Sequence, residues 1–132
     1  CATPVITMDL CATIAAANGG IPHGDGTDLR PLLRGGAVPE RPLFWHYPHY
    51  HPGGATPYSA ILSGGWRLIR FYGDNRTELY QVSADPLEKN DRSSAEPARR
   101  EALEALLDAW LKESGAQMPV PNPAWDKSAG KE

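Results

Sequence analysis

Glycine and proline interrupt this sequence so often that most of it cannot be helical. There are 13 of each among 132 residues, about a fifth of the total, against an average of about 12% for the two together. Because each of them weakens or ends a helix, a helical bundle is excluded. Apolar residues make up 41% and charged residues 22%, which is enough apolar material for a globular chain. At this length we expect no more than one domain.

Short apolar and aromatic runs in the middle of the chain alternate with turn residues, which is typical of an antiparallel sheet. The first run ends at Pro48, and a turn at Gly64 separates the second run from the third. We therefore predict a meander of three to four short strands, at 43–47, 58–62, 66–72 and 77–82. The following segment, 83–96, is predicted to be a linker.

Two helices are expected to flank these strands. Residues 5–18 have helical spacing, with Thr7 as the N-cap and with Leu10 and Ile14 on one face. A second helix is predicted over 97–114, where apolar residues recur at the spacing of one helix face. These residues should pack on the sheet: Leu103, Leu106, Leu107, Trp110 and Leu111. The predicted fold class is therefore α+β.

Charge and cysteine content exclude several classes of protein. The net charge is −3, and no basic stripe that could follow nucleic-acid phosphates is present in the sequence. No apolar run approaches the roughly 20 residues that span a bilayer. Cys1 and Cys11 are too few for a disulfide framework and too far apart for a CxxC motif. The chain begins with neither Met nor a signal-peptide pattern, so we expect a processed or excised part of a longer chain.

Three of the four histidines lie close together among aromatic residues, in the segment Trp45-His46-Tyr47-Pro48-His49-Tyr50-His51. Imidazole is a common zinc ligand, but Pro48 and Pro52 disturb the geometry and no nearby cysteine completes a tetrahedral set. Flat rings beside imidazole donors suit sugars and anionic esters. Alternatively, the rings fill the space between two layers of the fold, and the imidazoles only fix the loop.

No nucleophile motif is complete in this sequence. Cys1 is followed by proline one position too late for a Cys-x-Pro-x-Arg motif, and Ser59 and Ser63 lack the Gly-x-Ser-x-Gly elbow. The glycine-rich turns lack the Lys-Ser/Thr pair of a phosphate-binding loop. The residues alone therefore indicate an α+β chain with an aromatic-histidine loop and no catalytic residue.

Several segments, taken in their order along the chain, resemble the C-terminal end of type I sulfatases. These enzymes form the arylsulfatase-like family of the alkaline-phosphatase superfamily and depend on formylglycine. No single segment is specific, but their shared order covers nearly the whole chain. The segments are Thr3–Leu10, Gly24–Gly26, Leu29–Gly35, Arg41–Tyr50, Tyr58–Ile61, Gly65–Ile69 and Glu78–Asp91.

The resemblance implies a division of the chain into three parts. Residues 1–42 would be the end of the catalytic α/β domain, 43–118 the C-terminal subdomain of antiparallel sheet and helix, and 119–132 an extended proline-rich tail. In the family, this subdomain closes one side of the active-site cleft and helps to select the substrate. The candidate residues of the cleft wall are His46, Tyr47, His49, Tyr50 and His51.

The resemblance also implies what this chain does not contribute. The formylglycine precursor, in a Cys/Ser-x-Pro-x-Arg motif, and the calcium-binding carboxylates belong to another part of the family's enzymes. We therefore expect no catalytic residue, metal ligand or cofactor in these 132 residues. The expected partners are the remainder of the catalytic domain and a sulfated small molecule or glycan, in an enzyme that is periplasmic or secreted. The alternative is a stand-alone module that binds a sugar or anion through the His46–His51 loop.

Overall fold

The computed structural model describes residues 1–21 and 24–120. The chain divides into two compact units, one up to Leu43 and one from Phe44 onward. No helix in the described ranges has both the length and the apolar content needed to cross a membrane. The predicted extended tail, 119–132, lies outside the described residues from position 121 on.

The first unit contains α1 (Met8–Ala17) and the short α2 (Arg30–Leu33). Thr7 stands at the N-cap position of α1, as predicted, but its side chain makes no capping hydrogen bond. Instead, Asp9 reaches back and accepts the backbone N–H of Ile6 at 2.9 Å. A carboxylate in the first turn also complements the positive end of the helix dipole.

Asp9 also connects α1 to the loop that follows it. Its side chain is fully buried and accepts the backbone N–H of Thr27 at 2.8 Å. The guanidinium of Arg41 forms an ion pair with the same carboxylate. Gly26 lies so close to α1 that a Cβ there would overlap the carbonyl of Met8. The Gly-Asp-Gly turn of the sequence is therefore held against the start of the helix.

The large apolar residues of α1 are exposed. Leu10 and Ile14 share one face, as predicted, but 56% and 63% of their surface is accessible. The helix buries its small residues Ala12 and Ala16 instead. Among the described residues, the first unit thus presents an exposed apolar helix face.

The second unit is built on a four-stranded sheet with the simple order β1-β2-β3-β4. The strands are β1 (Leu43–Tyr47), β2 (Tyr58–Ser63), β3 (Trp66–Phe71) and β4 (Thr77–Gln81). β3 pairs antiparallel with both β2 and β4. The β2–β3 turn consists of Gly64 and Gly65, both at positive φ, as a tight two-residue hairpin requires. The predicted meander is confirmed with four strands.

One face of the sheet packs on α3 (Pro97–Glu113). Leu103, Leu107 and Leu111 are buried against a cluster from the strands: Ile61, Trp66, Leu68 and Leu79. Trp110 is only half-buried and stacks on Phe44, with the ring centroids 4.8 Å apart. The prediction that Leu106 packs on the sheet is wrong, since it is 46% exposed. A single helix on a sheet buries a narrower stripe than the sequence pattern suggested.

The segment 83–96 is fixed to the sheet, contrary to the prediction of a linker. A carboxylate oxygen of Asp91 accepts the backbone N–H groups of Leu79 at 3.0 Å and Ser93 at 2.8 Å. The N–H of Arg92 then donates to the carbonyl of Leu79 at 2.7 Å. These bonds satisfy backbone groups of β4 on its outer side, where an edge strand would otherwise leave them free.

Candidate functional site

The candidate residues lie on or beside the loop 48–57, which connects β1 to β2. Successive residues of a strand point to opposite faces of a sheet, so His46 and Tyr47 diverge at the start of this loop. His46 lies on the face that carries α3, and Tyr47 lies on the other face. The sheet thereby separates two residues that the sequence pattern had placed in one group.

His46 uses both ring nitrogens within the protein. Its Nδ1 lies 2.7 Å from the hydroxyl of Ser59, and its Nε2 lies 2.8 Å from the backbone carbonyl of Gln117. Ser59 is fully buried, and its hydroxyl also lies 2.7 Å from the hydroxyl of Tyr72. A ligand could bond to this imidazole only by displacing one of these partners.

His49 and Tyr50 point away from such internal partners. Both are exposed, Tyr50 at 73%. The ring of His49 meets Tyr47 edge to face, with the centroids 5.8 Å apart. Tyr47 in turn lies 6.1 Å from Tyr58 at the other end of the loop. The exposed imidazole of His49 therefore stands beside aromatic rings that the strands hold in place, and the exposed Tyr50 follows it on the loop.

His51 organises the loop itself. Its ring nitrogen Nδ1 accepts the backbone N–H of Gly53 at 2.9 Å, and the backbone N–H of His51 donates to the carbonyl of Ala55 at 2.9 Å. Gly54 closes the turn at a φ of 94° by donating to the carbonyl of His51. The loop is therefore compact and hydrogen-bonded within itself.

The three histidines do not converge on one point. Within residues 1–21 and 24–120, no three side chains of His, Cys, Asp or Glu are placed so that they could hold a metal ion. Asp9 and Asp91, both carboxylates with several donors, are already occupied by backbone N–H groups. The described residues do not fit a calcium or zinc site, and no chemistry is assigned to a metal here.

The sequence analysis did not identify the two hydrogen-bond partners of His46, which are Ser59 and the carbonyl of Gln117. Nothing in the sequence marked Ser59 as a link between His46 and Tyr72. Because Gln117 contributes only its backbone carbonyl, its side chain gives no indication of this contact. The separation of His46 from Tyr47, in contrast, follows from the two-residue period of a strand.

The fold matches solved structures of sulfatases and related proteins. One is a protein in complex with its substrate D-glucosamine-2-N,6-O-disulfate, with a TM-score of 0.68 and 25% identity over 84% of this chain and 24% of that chain. Another is a 2-O GAG sulfatase, with a TM-score of 0.65 and 23% identity over 82% of this chain and 25% of that chain. A third, Ps i-CgsB in complex with k-i-k-neocarrahexaose, has a TM-score of 0.66 and 21% identity over 96% of this chain and 28% of that chain.

The chain thus spans about a quarter of the length of these proteins. For the two structures that are 23% and 21% identical, the likeness concerns the fold alone. No protein-family model and no curated protein sequence matches the chain. The predicted resemblance is confirmed: the α+β fold is that of a part of known sulfatases, consistent with their C-terminal part.

Proposed function

We propose that this chain, which has the fold of the C-terminal part of a sulfatase, forms one wall of the active-site cleft of a sulfuric ester hydrolase. In this proposal its loop 48–57 contacts the substrate, and the chain contributes to substrate selection without a catalytic residue of its own. The observation that carries the proposal is the pair His49 and Tyr50, exposed on a hydrogen-bonded loop that rises from two paired strands. Functional side chains are commonly found on loops that a rigid scaffold positions.

The chemistry of this pair fits a sulfated ligand. The imidazole of His49 offers an N–H donor, and the hydroxyl of Tyr50 can donate as well, whereas sulfate oxygens only accept. The neighbouring ring of Tyr47 offers a flat face on which a sugar can lie. The names of the similar structures, which include an amino-sugar disulfate and a carrageenan oligosaccharide as bound ligands, favour a sulfated glycan as the substrate class.

The proposal requires the remainder of a sulfatase catalytic domain as the partner. The exposed apolar face of α1, with Leu10 and Ile14, supports such a partner, because contiguous exposed apolar residues mark a surface that another element covers. Formylglycine and calcium would belong to that partner. The residues of this chain would bind and orient the substrate and exclude water from its side of the cleft.

The experiment starts with the DNA that precedes the codon for Cys1. The proposal predicts an in-frame Cys/Ser-x-Pro-x-Arg motif, and hydrolysis of sulfate from a sulfated glucosamine by the encoded protein after conversion of that Cys or Ser to formylglycine. A reading frame without the motif would refute the proposal. In that case, binding of the same sulfated sugar by the 132-residue chain alone would favour the stand-alone module.

A further inference from the structure

We infer that His46 is a positioning residue and not a substrate ligand: with Ser59, Tyr72 and the carbonyl of Gln117, it forms a hydrogen-bond chain of fixed direction that holds both ends of the loop 48–57. The inference rests on the proposed function in one respect, namely that this loop is the part that meets the substrate. The hydrogen-bond chain itself can be tested without any substrate.

The direction of the hydrogen-bond chain follows from its last acceptor, the carbonyl of Gln117. A backbone carbonyl can only accept a hydrogen bond, so Nε2 of His46, 2.8 Å from the oxygen of Gln117, must carry the hydrogen. In a neutral imidazole the other nitrogen is then an acceptor. Ser59 must therefore donate to Nδ1, and its oxygen is left to accept the hydrogen of the Tyr72 hydroxyl. Hydrogens point from Tyr72 through Ser59 and His46 to Gln117.

This hydrogen-bond chain joins the two ends of the loop 48–57. His46 lies two residues before Pro48, and Ser59 lies two residues after Pro57, so their 2.7 Å contact ties β1 to β2 at the point where the loop leaves the sheet. Tyr72 adds a second tie, since its backbone N–H donates to the carbonyl of Pro57 at 2.9 Å. These bonds thus connect four segments: β1, β2, the end of β3 and the segment that follows α3.

The opposite face of the sheet carries a matching contact. Tyr47 and Tyr58, the immediate neighbours of His46 and Ser59, bring their rings to 6.1 Å from one another. Each end of the loop is therefore held on both faces, polar on the side of α3 and aromatic on the other. This arrangement fixes where His49 and Tyr50 stand, and their position is what a substrate would meet.

Ser59 is the member whose loss is most informative. It is fully buried, so Ser59→Ala leaves Nδ1 of His46 without its donor and the hydroxyl of Tyr72 without its acceptor, and neither is easily replaced by bulk water. Tyr72→Phe removes only the first donor and leaves the bond from Ser59 to His46 intact. Ser63→Ala is the matched control, because Ser63 lies on the same strand and the same face at its far end.

The first measurement locates the hydrogens of the histidine rings by long-range nitrogen–proton NMR on the 132-residue chain at pH 8, where an ordinary imidazole is neutral. We expect His46 as a single tautomer with hydrogen on Nε2, and exposed His49 as an average of both. Hydrogen on Nδ1 of His46, or averaging at His46, would overturn the inference.

The second measurement is amide hydrogen exchange of the loop in the same chain. Ser59→Ala should speed exchange at the amides of His51 and Tyr72 by about tenfold or more, a factor typical of losing one buried hydrogen bond. Tyr72→Phe should have a smaller effect, and Ser63→Ala should have none. Unchanged exchange in Ser59→Ala would refute the positioning role. If Ser59→Ala does not fold, the tautomer of His46 in the unsubstituted chain decides the inference.

The third measurement separates this role from a general structural one in the longer enzyme. Ser59→Ala should raise KM for the sulfated sugar about tenfold while kcat stays within about twofold, at temperatures well below unfolding. A lower Tm with unchanged KM would mean that the hydrogen-bond chain stabilises the fold but does not position the loop for the substrate. If the enzyme has no sulfatase activity, the proposed function fails, but the NMR and exchange results still decide the inference about His46.

Discussion

The buried carboxylate of Asp9 should control the stability of the first unit. Asp9→Asn keeps the size of the side chain but replaces one acceptor oxygen by a donor and removes the charge. One of the two N–H groups now bonded to Asp9, from Ile6 or Thr27, would lose its acceptor, and Arg41 would lose its ion pair. A hydrogen bond to a charged group contributes about 1.5–3 kcal/mol, and removing one partner of a buried pair costs about 3–5 kcal/mol.

Because the side chain of Arg41 is 28% exposed, water can partly replace its lost partner, so we expect a cost of about 2–4 kcal/mol for Asp9→Asn. The assay is amide hydrogen exchange over α1. Since about 1.4 kcal/mol corresponds to a factor of ten, exchange there should accelerate about 30- to 1,000-fold. Asp25→Asn is the control, because Asp25 belongs to the same loop and is exposed; it should leave the rates unchanged.

The effect of Asp9 should also depend on pH. Burial raises the pKa of Asp9, but the N–H groups of Thr27 and Ile6 and the charge of Arg41 outweigh it, and the net pKa lies below the ordinary value of 3.8. A carboxyl with a lower pKa in the folded state stabilises the fold above its unfolded pKa and loses that contribution as pH falls through the folded pKa. The difference between wild type and Asp9→Asn should therefore shrink as the pH falls below 3.8. Equal exchange rates of the two proteins at pH 7 would refute the role of Asp9.

Three further predictions concern the core, the exposed helix face and activity. Leu107→Ala should lower the free energy of unfolding by about 2–5 kcal/mol, because the side chain is fully buried. Leu106→Ala should lower it by no more than about 0.5 kcal/mol. Urea denaturation followed by tryptophan fluorescence distinguishes the two variants, and equal losses would contradict the packing of α3. The 132-residue chain should self-associate through α1 in sedimentation experiments, and the double variant Leu10→Lys, Ile14→Lys should be monomeric. A double variant that still associates would contradict this role of α1. The same chain should not hydrolyse 4-nitrophenyl sulfate above a heat-treated control, and turnover would show that it carries a catalytic group of its own.

The strands and the long helix could be predicted because their patterns are local. Alternating apolar and aromatic residues between glycine and proline turns predicted the four strands, and the spacing of Leu103, Leu107 and Leu111 predicted α3. The width of the buried stripe could not be predicted in the same way. It depends on the flat surface of the sheet, which covers those three leucines but leaves Leu106 exposed and Trp110 at the margin against Phe44.

Contacts between side chains and distant backbone groups were not predictable. Asp91 fixes the segment 83–96 by accepting the N–H of Leu79, twelve residues away, and an aspartate in a polar stretch gives no sign of such a partner. The candidate loop shows the same limit. The sequence located the histidines, but it could not indicate that His46 bonds to Ser59 and to the carbonyl of Gln117 while His49 stays exposed.

The central claim is that the loop 48–57 meets the substrate of a sulfatase, and His49→Ala in the longer enzyme tests it most directly. A hydrogen bond to a charged sulfate contributes about 1.5–3 kcal/mol, so kcat/KM for a sulfated glucosamine should fall about 10- to 150-fold while Tm stays unchanged, because His49 is exposed and makes no hydrogen bond within the described residues. His49→Gln keeps an N–H donor and should recover part of the loss. A lower Tm with kcat/KM intact would contradict the claim and leave His49 as a structural residue.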